Sequence, residues 1–367
     1  MIETLQKLVS LSSVSGDERL ILDYIYQKVR PEFRLAKKTN QYVCAKIPGN
    51  DNSQTLVFCG HVDTVHPGPQ TNWETNPLRP ELKRGKLYGL GAADMKAGVA
   101  VMLELLKDYA AAPPPLDLWF VFVGGEEVDG RGSRAFMADY GSTLQAYEQA
   151  SVVLPEPTPD NIYFYGCKGT FFAELVVSGV SGHAADPPDR LSQTLYKASQ
   201  LLADITLLEK DWQKNYHNYS LGRPTITPTS IVGQSGSPNK LTANCSITLD
   251  IRTVPEIDAQ VKTLLAAWAS QHDATIAPIA EHCPAALSTL DSGLIRKLDT
   301  LGFSPAVSLA SSDLGCFTTA GLAACLIGPG DMAQAHQPNE FAKINELSKY
   351  FTVYKKLIES TGILETT

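Results

Sequence analysis

Along the first 165 positions, apolar residues either repeat every three or four positions or form short runs. These two patterns predict alternating helices and strands. Residues 2–11 and 18–29 repeat apolar side chains every three or four positions, as amphipathic helices do. Residues 56–65 and 118–123 are instead short apolar runs of the kind that form buried strands. A further helix is predicted at residues 99–109. This alternation predicts an α/β fold with an open, mostly parallel sheet.

The pattern restarts after residue 167 and predicts a second, smaller domain. Its elements are a strand, a helix, two strands, a helix and a strand, at residues 170–177, 192–208, 225–232, 246–252, 256–272 and 275–280. This β-α-β-β-α-β order is typical of a small α+β unit. We therefore predict a discontinuous larger domain at residues 1–167 and 283–367, interrupted by an inserted domain at residues 168–282.

A histidine and an aspartate stand at the end of the first apolar strand. His61 and Asp63 lie two residues apart, so on an extended backbone their side chains point to the same side. One can then bind a metal ion while the other accepts the second imidazole N–H. The alternative is a buried histidine that is simply hydrogen-bonded to an aspartate.

Three further carboxylates lie next to predicted helices or strands. Asp94 falls where a glycine-rich loop enters a helix, a position that an ordinary N-cap aspartate also occupies. Glu126 and Glu127 come after a strand and a pair of glycines, and the glycines allow the bend that would bring both glutamates to one site. Without that bend, the two glutamates would lie in a solvated loop.

Two more metal-type side chains occupy similar positions. Glu156 lies between two prolines at the end of a strand, and His336 ends a loop that leaves another apolar run. Open α/β sheets place their ligand crevice at such strand ends. Two histidines and three carboxylates, one of them shared, can hold a pair of zinc-like ions. The set that predicts a two-metal hydrolase site is His61, Asp94, Glu127, Glu156 and His336.

Composition narrows the possible partners. With 367 residues, of which 44% are hydrophobic, the chain can form two cored domains. A net charge of −8 without a basic cluster argues against nucleic acid or an anionic membrane as partner. The seven scattered cysteines are expected to be reduced and mostly buried. We see no signal peptide and no long apolar run, so we expect a cytoplasmic protein without a membrane span.

The chain resembles the M20 metallopeptidase family, which includes acetylornithine deacetylase, succinyl-diaminopimelate desuccinylase, aminoacylases and glutamate carboxypeptidase. The motifs that carry the resemblance, in family order, are His61-x-Asp63, Gly-x-Gly-x-x-Asp94-Met-Lys, Glu126-Glu127, Glu156-Pro157 and His336. The resemblance covers essentially the whole chain. Residues 328–330 and 333–340 are most similar to the acetylornithine deacetylase branch, whereas residues 91–96 are as similar to the desuccinylases.

The resemblance implies how two metal ions would be held. By this resemblance, one ion would have His61 and Glu156 as terminal ligands, and the other would have Glu127 and His336. Asp94 would be the bridge between them. The peptide bond after the bridging aspartate is expected to be cis. Zinc is the expected metal, with cobalt or manganese as alternatives, because the same donors accept several divalent ions.

The resemblance also implies the roles of residues around the metals. Asp63 would orient its neighbouring histidine, and Glu126 would be the general base that moves a proton from water to the leaving amine. Within the family the inserted domain is a lid and often a dimerisation surface, so a homodimer is expected. From that domain His183 would reach an active site, its own or the partner subunit's, and stabilise the oxyanion.

Three residues would bind the substrate: Asn239, Arg252 and Gly328. The guanidinium of Arg252 suits a free α-carboxylate, although a structural, salt-bridged arginine is the alternative. Thr242 replaces a proline that the family usually has in the loop of Asn239.

These expectations predict a metal-dependent amidohydrolase that acts on a linear amide of a small amino acid. N-acetylornithine or a related N-acetyl amino acid is the first choice, which would place the enzyme in arginine biosynthesis. N-succinyl-diaminopimelate and a carboxy-terminal dipeptide are the alternative substrates. The competing class is a non-enzymatic binding module, but such modules usually lose a ligand or the base, and Glu126 and all five ligands are present here.

Overall fold

The computed structural model describes residues 1–30 and 35–359. Within these ranges the strands β1 to β16 are Leu35–Lys38, Tyr42–Ile47, Asp51–His61, Glu81–Lys83, Lys86–Tyr88, Leu116–Val123, Gln149–Leu154, Ile162–Cys167, Gly169–Ser178, Thr225–Val232, Asn244–Thr253, Ala274–Pro278, Ala286–Leu287, Ser304–Ser308, Ala323–Leu326 and Phe341–Lys343. The helices α1 to α10 are Ile2–Ser10, Arg19–Val29, Ala97–Ala110, Arg131–Gln145, Thr194–Asn215, Pro255–Asp258, Val261–Gln271, Gly293–Thr300, Leu314–Thr318 and Ile344–Glu359.

The chain divides into two compact units. The first consists of Met1–Gly166, Leu287–Val307 and the residues from Ser312 onward. The second consists of Cys167–Ala286 together with Ser308–Ser311. The expectation that the second unit is a lid and a dimerisation surface stays a prediction.

A nine-stranded sheet forms the centre of the first unit. Its strand order is β1-β2-β6-β3-β7-β15-β8-β13, and β14 pairs with β8. The four central strands β6, β3, β7 and β15 are parallel, whereas β1, β2 and β8 pair antiparallel with their neighbours. This largely parallel sheet confirms the predicted α/β class.

Helices cover both faces of the central strands. Phe120 of β6 stacks on Phe58 of β3, which in turn lies 5.2 Å from the ring of Tyr354 in α10. Trp119, the preceding residue of β6, points to the other face and packs against Phe136 of α4. All eight residues of β6 are buried, which explains why its sequence is a continuous apolar run rather than an alternating one.

The second unit is a four-stranded antiparallel sheet with its helices. The strand order is β10-β11-β9-β12, and every pairing is antiparallel. The chain order β9-α5-β10-β11-α7-β12 confirms the predicted β-α-β-β-α-β arrangement. Ile247, Leu249 and Ile251 alternate with partly exposed residues along β11, as expected when one face of a sheet is covered.

Two helices of this unit differ from their predicted bounds. Helix α5 continues seven residues past the predicted end at residue 208, because Trp212 supplies a further buried apolar side chain. The helix predicted at residues 256–272 is interrupted and forms α6 and α7. The carboxylate of Asp258 there accepts the N–H of Ala285 at 2.8 Å, and Gln260 leaves the helical conformation.

Composition led to two expectations, one about the burial of the cysteines and one about membrane-spanning helices. Five of the seven cysteines are buried. Among the described residues, we find no helix with the length and apolar character that a membrane crossing requires.

Candidate metal centre and active site

The predicted ligands gather at one edge of the parallel sheet in the first unit. His61 ends β3, Glu126 and Glu127 follow β6, Glu156 follows β7, and His336 lies in the segment after β15. Because these four strands are parallel, their carboxyl ends meet at the same edge. The structure therefore brings together side chains that are separated by as many as 275 positions, from residue 61 to residue 336.

One half of the site contains His61, Asp94 and Glu156, which are all buried. Nε2 of His61 lies 3.0 Å from Oδ1 of Asp94 and 3.8 Å from Oε1 of Glu156. The other ring nitrogen, Nδ1, lies 3.1 Å from the carbonyl oxygen of Asp63. If Nδ1 carries the hydrogen and donates it to that carbonyl oxygen, the lone pair of Nε2 faces the carboxylates, as a metal ligand requires.

The other half contains His336, Glu127 and the second oxygen of Asp94. Nε2 of His336 lies 2.8 Å from Oε2 of Glu127 and 3.6 Å from Oδ2 of Asp94. The side chain of His336 is 51% exposed, whereas that of His61 is almost fully buried. Asp94 thus directs one oxygen to each histidine. Ligand atoms of His61, Asp94 and Glu127 all lie within 4.8 Å of one another, which makes them a potential metal-binding group.

Asp63 fixes the loop that carries the two glutamates. Its carboxylate accepts the backbone N–H groups of Glu126 and Glu127 at 3.2 Å each, and the hydroxyl of Ser15 at 2.7 Å. Its Oδ1 lies 3.6 Å from Nδ1 of His61, farther than its own carbonyl oxygen. The imidazole therefore meets the main chain of Asp63 more closely than its carboxylate, because the carboxylate is engaged by the loop.

Asp94 occupies an irregular turn before α3. The Asp94–Met95 peptide bond is cis, as expected, and Gly91 has a φ of 74°, a conformation that favours glycine. Helix α3 begins only three residues after Asp94, so this residue is not its N-cap. The carboxylate of Glu340 accepts the backbone N–H groups of Gly91, Ala93 and Asp94 at 2.8, 2.7 and 3.0 Å.

The acidic side chains of the site are crowded and poorly solvated. Burial raises the pKa of Glu126, Glu127 and Glu156, and the neighbouring carboxylates raise each of them further. Burial also raises the pKa of Asp313 to about 6. Burial alone would lower the pKa of His61, but Glu156 and the other acids raise it well above its usual value. Cations would offset this repulsion, so the imidazole and carboxylate donors fit divalent metal ions.

Two of the predicted residues of the second unit lie in adjoining loops. His183 is exposed and forms an isolated antiparallel bridge with Lys240, and the N–H of Ala184 donates to the carbonyl of Asn239 at 2.9 Å. Nδ1 of His183 accepts the N–H of Ala185 at 3.0 Å. Neutral His183 therefore carries its proton on Nε2, which makes that nitrogen a hydrogen-bond donor.

Arg252 is already paired within the second unit. Its Nε and Nη2 lie 2.8 and 2.9 Å from the carboxylate oxygens of Asp250, and its Nη1 donates to the hydroxyl of Thr170 at 2.6 Å. This is the structural salt bridge that the sequence left open as the alternative. A substrate carboxylate would have to compete with Asp250 for the same guanidinium.

Gly328 allows two backbones to approach closely. A Cβ at this position would lie 2.3 Å from the carbonyl oxygen of Pro155 and 2.8 Å from that of Glu156. Its N–H also meets the hydroxyl of Thr158 at 3.3 Å. The observed contacts give Gly328 a packing role beside the segment that carries Glu156.

Several residues around the site were assigned no role from the sequence. Glu340 holds the turn of Asp94, Ser15 holds Asp63, and Asp313 accepts the hydroxyl of Ser133 at 2.5 Å. No periodic signal marks these residues, because their partners are backbone N–H groups and hydroxyls far along the chain. The proximity of Glu340 to His336 in sequence is the one local hint.

The chain is similar to known peptidases and deacylases over most of its length. The sequence model of peptidase family M20/M25/M40 matches residues 57–360. An acetylornithine deacetylase of Proteus mirabilis is 27% identical over 329 residues, which cover 84% of this chain and 80% of the relative. A succinyl-diaminopimelate desuccinylase of Xanthomonas campestris pv. campestris is 26% identical over 319 residues, which cover 83% of each chain. An M20 family metallo-carboxypeptidase from Sulfolobus solfataricus shares the fold, with a TM-score of 0.80, 17% identity and 99% of each chain covered.

Proposed function

The chain belongs to peptidase family M20/M25/M40, and from that premise we propose that it is a two-metal amidohydrolase that removes the acyl group from the nitrogen of a small amino acid. Its membership makes it a metal-dependent hydrolase. The proposed substrate is N-acetylornithine or a closely related N-acetyl amino acid.

The observation that carries the proposal is the placement of Asp94 between two histidines. One carboxylate oxygen faces His61 at 3.0 Å, and the other faces His336 at 3.6 Å. A carboxylate that served only one ion, or only an N-cap, would not need a histidine on each side. Each histidine is accompanied by one glutamate, Glu156 in one half and Glu127 in the other.

We propose that His61 and Glu156 hold one ion, that Glu127 and His336 hold the other, and that Asp94 is shared. Zinc suits this mixture of imidazole nitrogens and carboxylate oxygens, and cobalt or manganese can replace it. When bound, such ions supply a nucleophilic water of lowered pKa and polarise the carbonyl of the scissile amide.

The residues around the ligands supply proton transfer and orientation. Glu126 takes a proton from the attacking water and later delivers one to the amine nitrogen as the C–N bond breaks. Asp63 holds the backbone of Glu126 and thereby keeps its carboxylate beside the ligands. Nε2–H of His183 would donate to the oxyanion that develops on the carbonyl oxygen.

The proposed acyl group rests on the named relatives and on the segment at residues 328–340. The Proteus mirabilis relative is an acetylornithine deacetylase, and the desuccinylase of Xanthomonas campestris is almost as similar in sequence. N-succinyl-diaminopimelate is therefore the second candidate substrate. Asn239, Arg252 and Gly328 remain the proposed substrate contacts, with the competing partners described above.

A substrate panel tests this proposal. N-acetylornithine, N-acetylcitrulline, N-succinyl-diaminopimelate and a dipeptide would be assayed with added Zn²⁺ or Co²⁺, and bound metal would be measured by elemental analysis. We expect close to two ions per chain, the highest kcat/KM with N-acetylornithine, and no turnover with a chelator. Absence of bound metal after dialysis against zinc would overturn the proposal, whereas preference for the succinyl substrate would select the second candidate.

We also propose that the chain forms a homodimer through the second unit. Strand β10 is an edge strand of the antiparallel sheet, and its last six residues are exposed. Ile231 is 50% exposed on that strand, and Leu195 is 56% exposed on α5. An exposed edge strand is a ready template for pairing with a second copy, and the last two residues of this one, Ile231 and Val232, are apolar.

Light scattering coupled to size exclusion tests the dimer. We expect the mass of two chains for the wild type and of one chain for Ile231→Lys. Leu82→Lys is the control, because Leu82 is equally exposed, at 49%, but belongs to the first unit. A monomeric wild type would contradict the proposal.

A further inference from the structure

Glu340 is a fully buried carboxylate that contacts the main chain of the shared ligand. It is 1% exposed, and it accepts three backbone N–H groups from the turn that ends at Asp94. We propose that Glu340 is a positioning residue, which fixes Asp94 so that each of its oxygens can serve a different metal ion. This inference rests on the proposed two-metal function.

Both carboxylate oxygens of Glu340 take part. Oε2 accepts the N–H of Gly91 at 2.8 Å, and Oε1 accepts those of Ala93 and Asp94 at 2.7 and 3.0 Å. The carbonyl of Glu340 in turn accepts the N–H of Gly89 at 3.0 Å. The turn is thus held by one residue at four of its backbone N–H groups, over a separation of about 250 positions.

The turn needs such an acceptor because its backbone is not helical. Asp94 has φ −112° and ψ 98°, and Met95 has φ −124° and ψ 33°, so the regular helical bonds are not available there. The N–H groups of Ala93 and Asp94 are in buried residues, where an unsatisfied donor is costly. A carboxylate has two oxygens and about four lone pairs, which match three converging donors.

The position of Glu340 in the sequence links the turn of Asp94 to His336, which is another proposed metal ligand. Glu340 lies four residues after His336, and both His336 and Asn339 have a positive φ, of 60° and 64°. The side chain of Asn339 accepts the N–H of Glu74 at 2.7 Å, which fixes the segment between them. The segment from His336 to Glu340 therefore places His336 next to one side-chain oxygen of Asp94. Through Glu340, the same segment accepts hydrogen bonds from the backbone of the Asp94 turn.

This arrangement predicts a signature that differs from the loss of a terminal ligand. Because Asp94 is shared, a misplaced Asp94 should weaken both metal sites. Loss of His336 should weaken one site only, since His61 and Glu156 lie in the other half. The two outcomes are separable by metal stoichiometry at limiting metal concentration.

The test is the full-length Glu340→Gln variant. Glutamine keeps the shape, but it turns an NH₂ group toward a backbone N–H in place of one acceptor oxygen. Zn²⁺ affinity and stoichiometry would be measured by competition with a chelator, and the visible spectrum of the Co²⁺-loaded protein would report the coordination geometry. We expect both sites to bind about 10- to 100-fold more weakly, the range found when groups that orient metal ligands are changed, and an altered Co²⁺ spectrum.

Glu346→Gln is the matched control. Glu346 is also buried, at 8% exposure, and accepts the backbone N–H of Gly330 at 2.9 Å and the ammonium of Lys343 at 3.0 Å, not an N–H of the turn of Asp94. This variant should keep the wild-type affinity and spectrum. His336→Ala should lose one ion preferentially and keep the other.

Two results would overturn the inference. The first is wild-type affinity for two ions and an unchanged Co²⁺ spectrum in Glu340→Gln. If that variant does not fold, Glu340→Asp takes its place, because it keeps the charge but is too short to reach all three donors. The second is a melting temperature that falls equally with and without Zn²⁺, as a purely structural role would predict. A positioning role instead reduces the rise in melting temperature that Zn²⁺ produces. A wild type without metal would instead contradict the proposed function.

Discussion

At the scale of single residues, adjacent side chains in the site have different surroundings and therefore different tasks. Glu127 directs Oε2 to His336 at 2.8 Å, in agreement with its proposed role as a ligand. Glu126 is partly buried beside it, and its backbone N–H donates to Asp63. Adjacent residues can face one site in these two ways because Gly125, with a φ of 79°, bends the chain just before them.

This difference predicts different effects of the same substitution at two neighbouring positions. Glu126→Gln should keep the metal content and substrate affinity but reduce turnover by about 10²- to 10⁴-fold, because it removes proton transfer alone. Glu127→Gln should lower the occupancy of one metal site. Elemental analysis and steady-state kinetics would measure both effects. Identical behaviour of the two variants would contradict the division of roles.

At the scale of elements, the segment that carries Glu156 depends on close backbone contacts with its neighbours. A Cβ on Gly98, in the first turn of α3, would lie 2.2 Å from the carbonyl oxygen of Pro155. A Cβ on Gly141, inside α4, would meet only the end of the Met137 side chain at 3.4 Å. The two glycines are therefore present in their helices for different reasons.

These two helices provide a matched pair of glycine-to-alanine substitutions. Gly98→Ala should lower the free energy of unfolding by about 1–3 kcal/mol, because overpacking displaces the Pro155 backbone. Gly141→Ala should raise it by about 0.5–1 kcal/mol, because alanine is the better helix former and fits the available space. Urea unfolding would measure both changes. Equal effects of the two substitutions would show that the predicted contact at Gly98 does not matter.

A second element-scale feature is the buried carboxylate of Asp117 at the start of β6. It contacts Nζ of Lys46 at 2.7 Å, the hydroxyl of Tyr147 at 2.6 Å and the N–H of Gly49 at 2.7 Å. Burial by itself raises the pKa of Asp117, but the hydrogen bonds from Lys46 and Tyr147 outweigh it, so the pKa lies below its usual value of 3.8. These bonds join β2, β6 and the segment after α4.

The lowered pKa of Asp117 predicts a contribution to stability that depends on pH. Because the pKa is lower in the folded than in the unfolded chain, the contribution is present above about pH 4 and is lost as the pH falls through the folded pKa. Asp117→Asn should therefore lower stability at pH 7 and flatten its decline below pH 4, as urea unfolding at several pH values would measure. Asp291→Asn, at an exposed carboxylate, should leave the profile unchanged. An unaltered profile in Asp117→Asn would contradict this assignment.

At the scale of the whole molecule, the proposed chemistry draws on both units. The proposed metal ligands and Glu126 belong to the first unit, whereas His183, the proposed oxyanion donor, belongs to the second. The second unit also holds the exposed edge strand β10, on which the proposed dimer rests. A dimer would allow a histidine of one subunit to complete the site of the other.

Mixing two inactive variants tests this sharing. His183→Ala should reduce turnover while leaving metal content and substrate affinity nearly unchanged, because the donor acts mainly on the transition state. If His183 acts in the partner's site, mixing His183→Ala with Glu126→Gln should restore part of the activity, since some heterodimers contain one complete site. Absence of rescue in subunits that demonstrably exchange would mean that His183 acts within its own chain or not at all.

The sequence by itself determined the order of the elements and the chemical character of the site. Apolar periodicity is a local property, so it predicted the parallel sheet of the first unit and the β-α-β-β-α-β unit. Residues such as His61 and Glu156 stood out because each follows an apolar strand, and the ends of parallel strands converge. Their division between the two metal ions came from the resemblance to a family, not from spacing.

Only the tertiary structure decided which groups face one another. That Asp94 offers one oxygen to each histidine, and that Arg252 is occupied by Asp250, follows from side-chain positions that no period encodes. Glu340 and Asp63 act on backbone N–H groups, and every residue except proline carries such a group. Composition therefore cannot identify their partners. The path of the chain brings these acceptors and donors together, and that path is fixed by packing of the whole sheet and its helices.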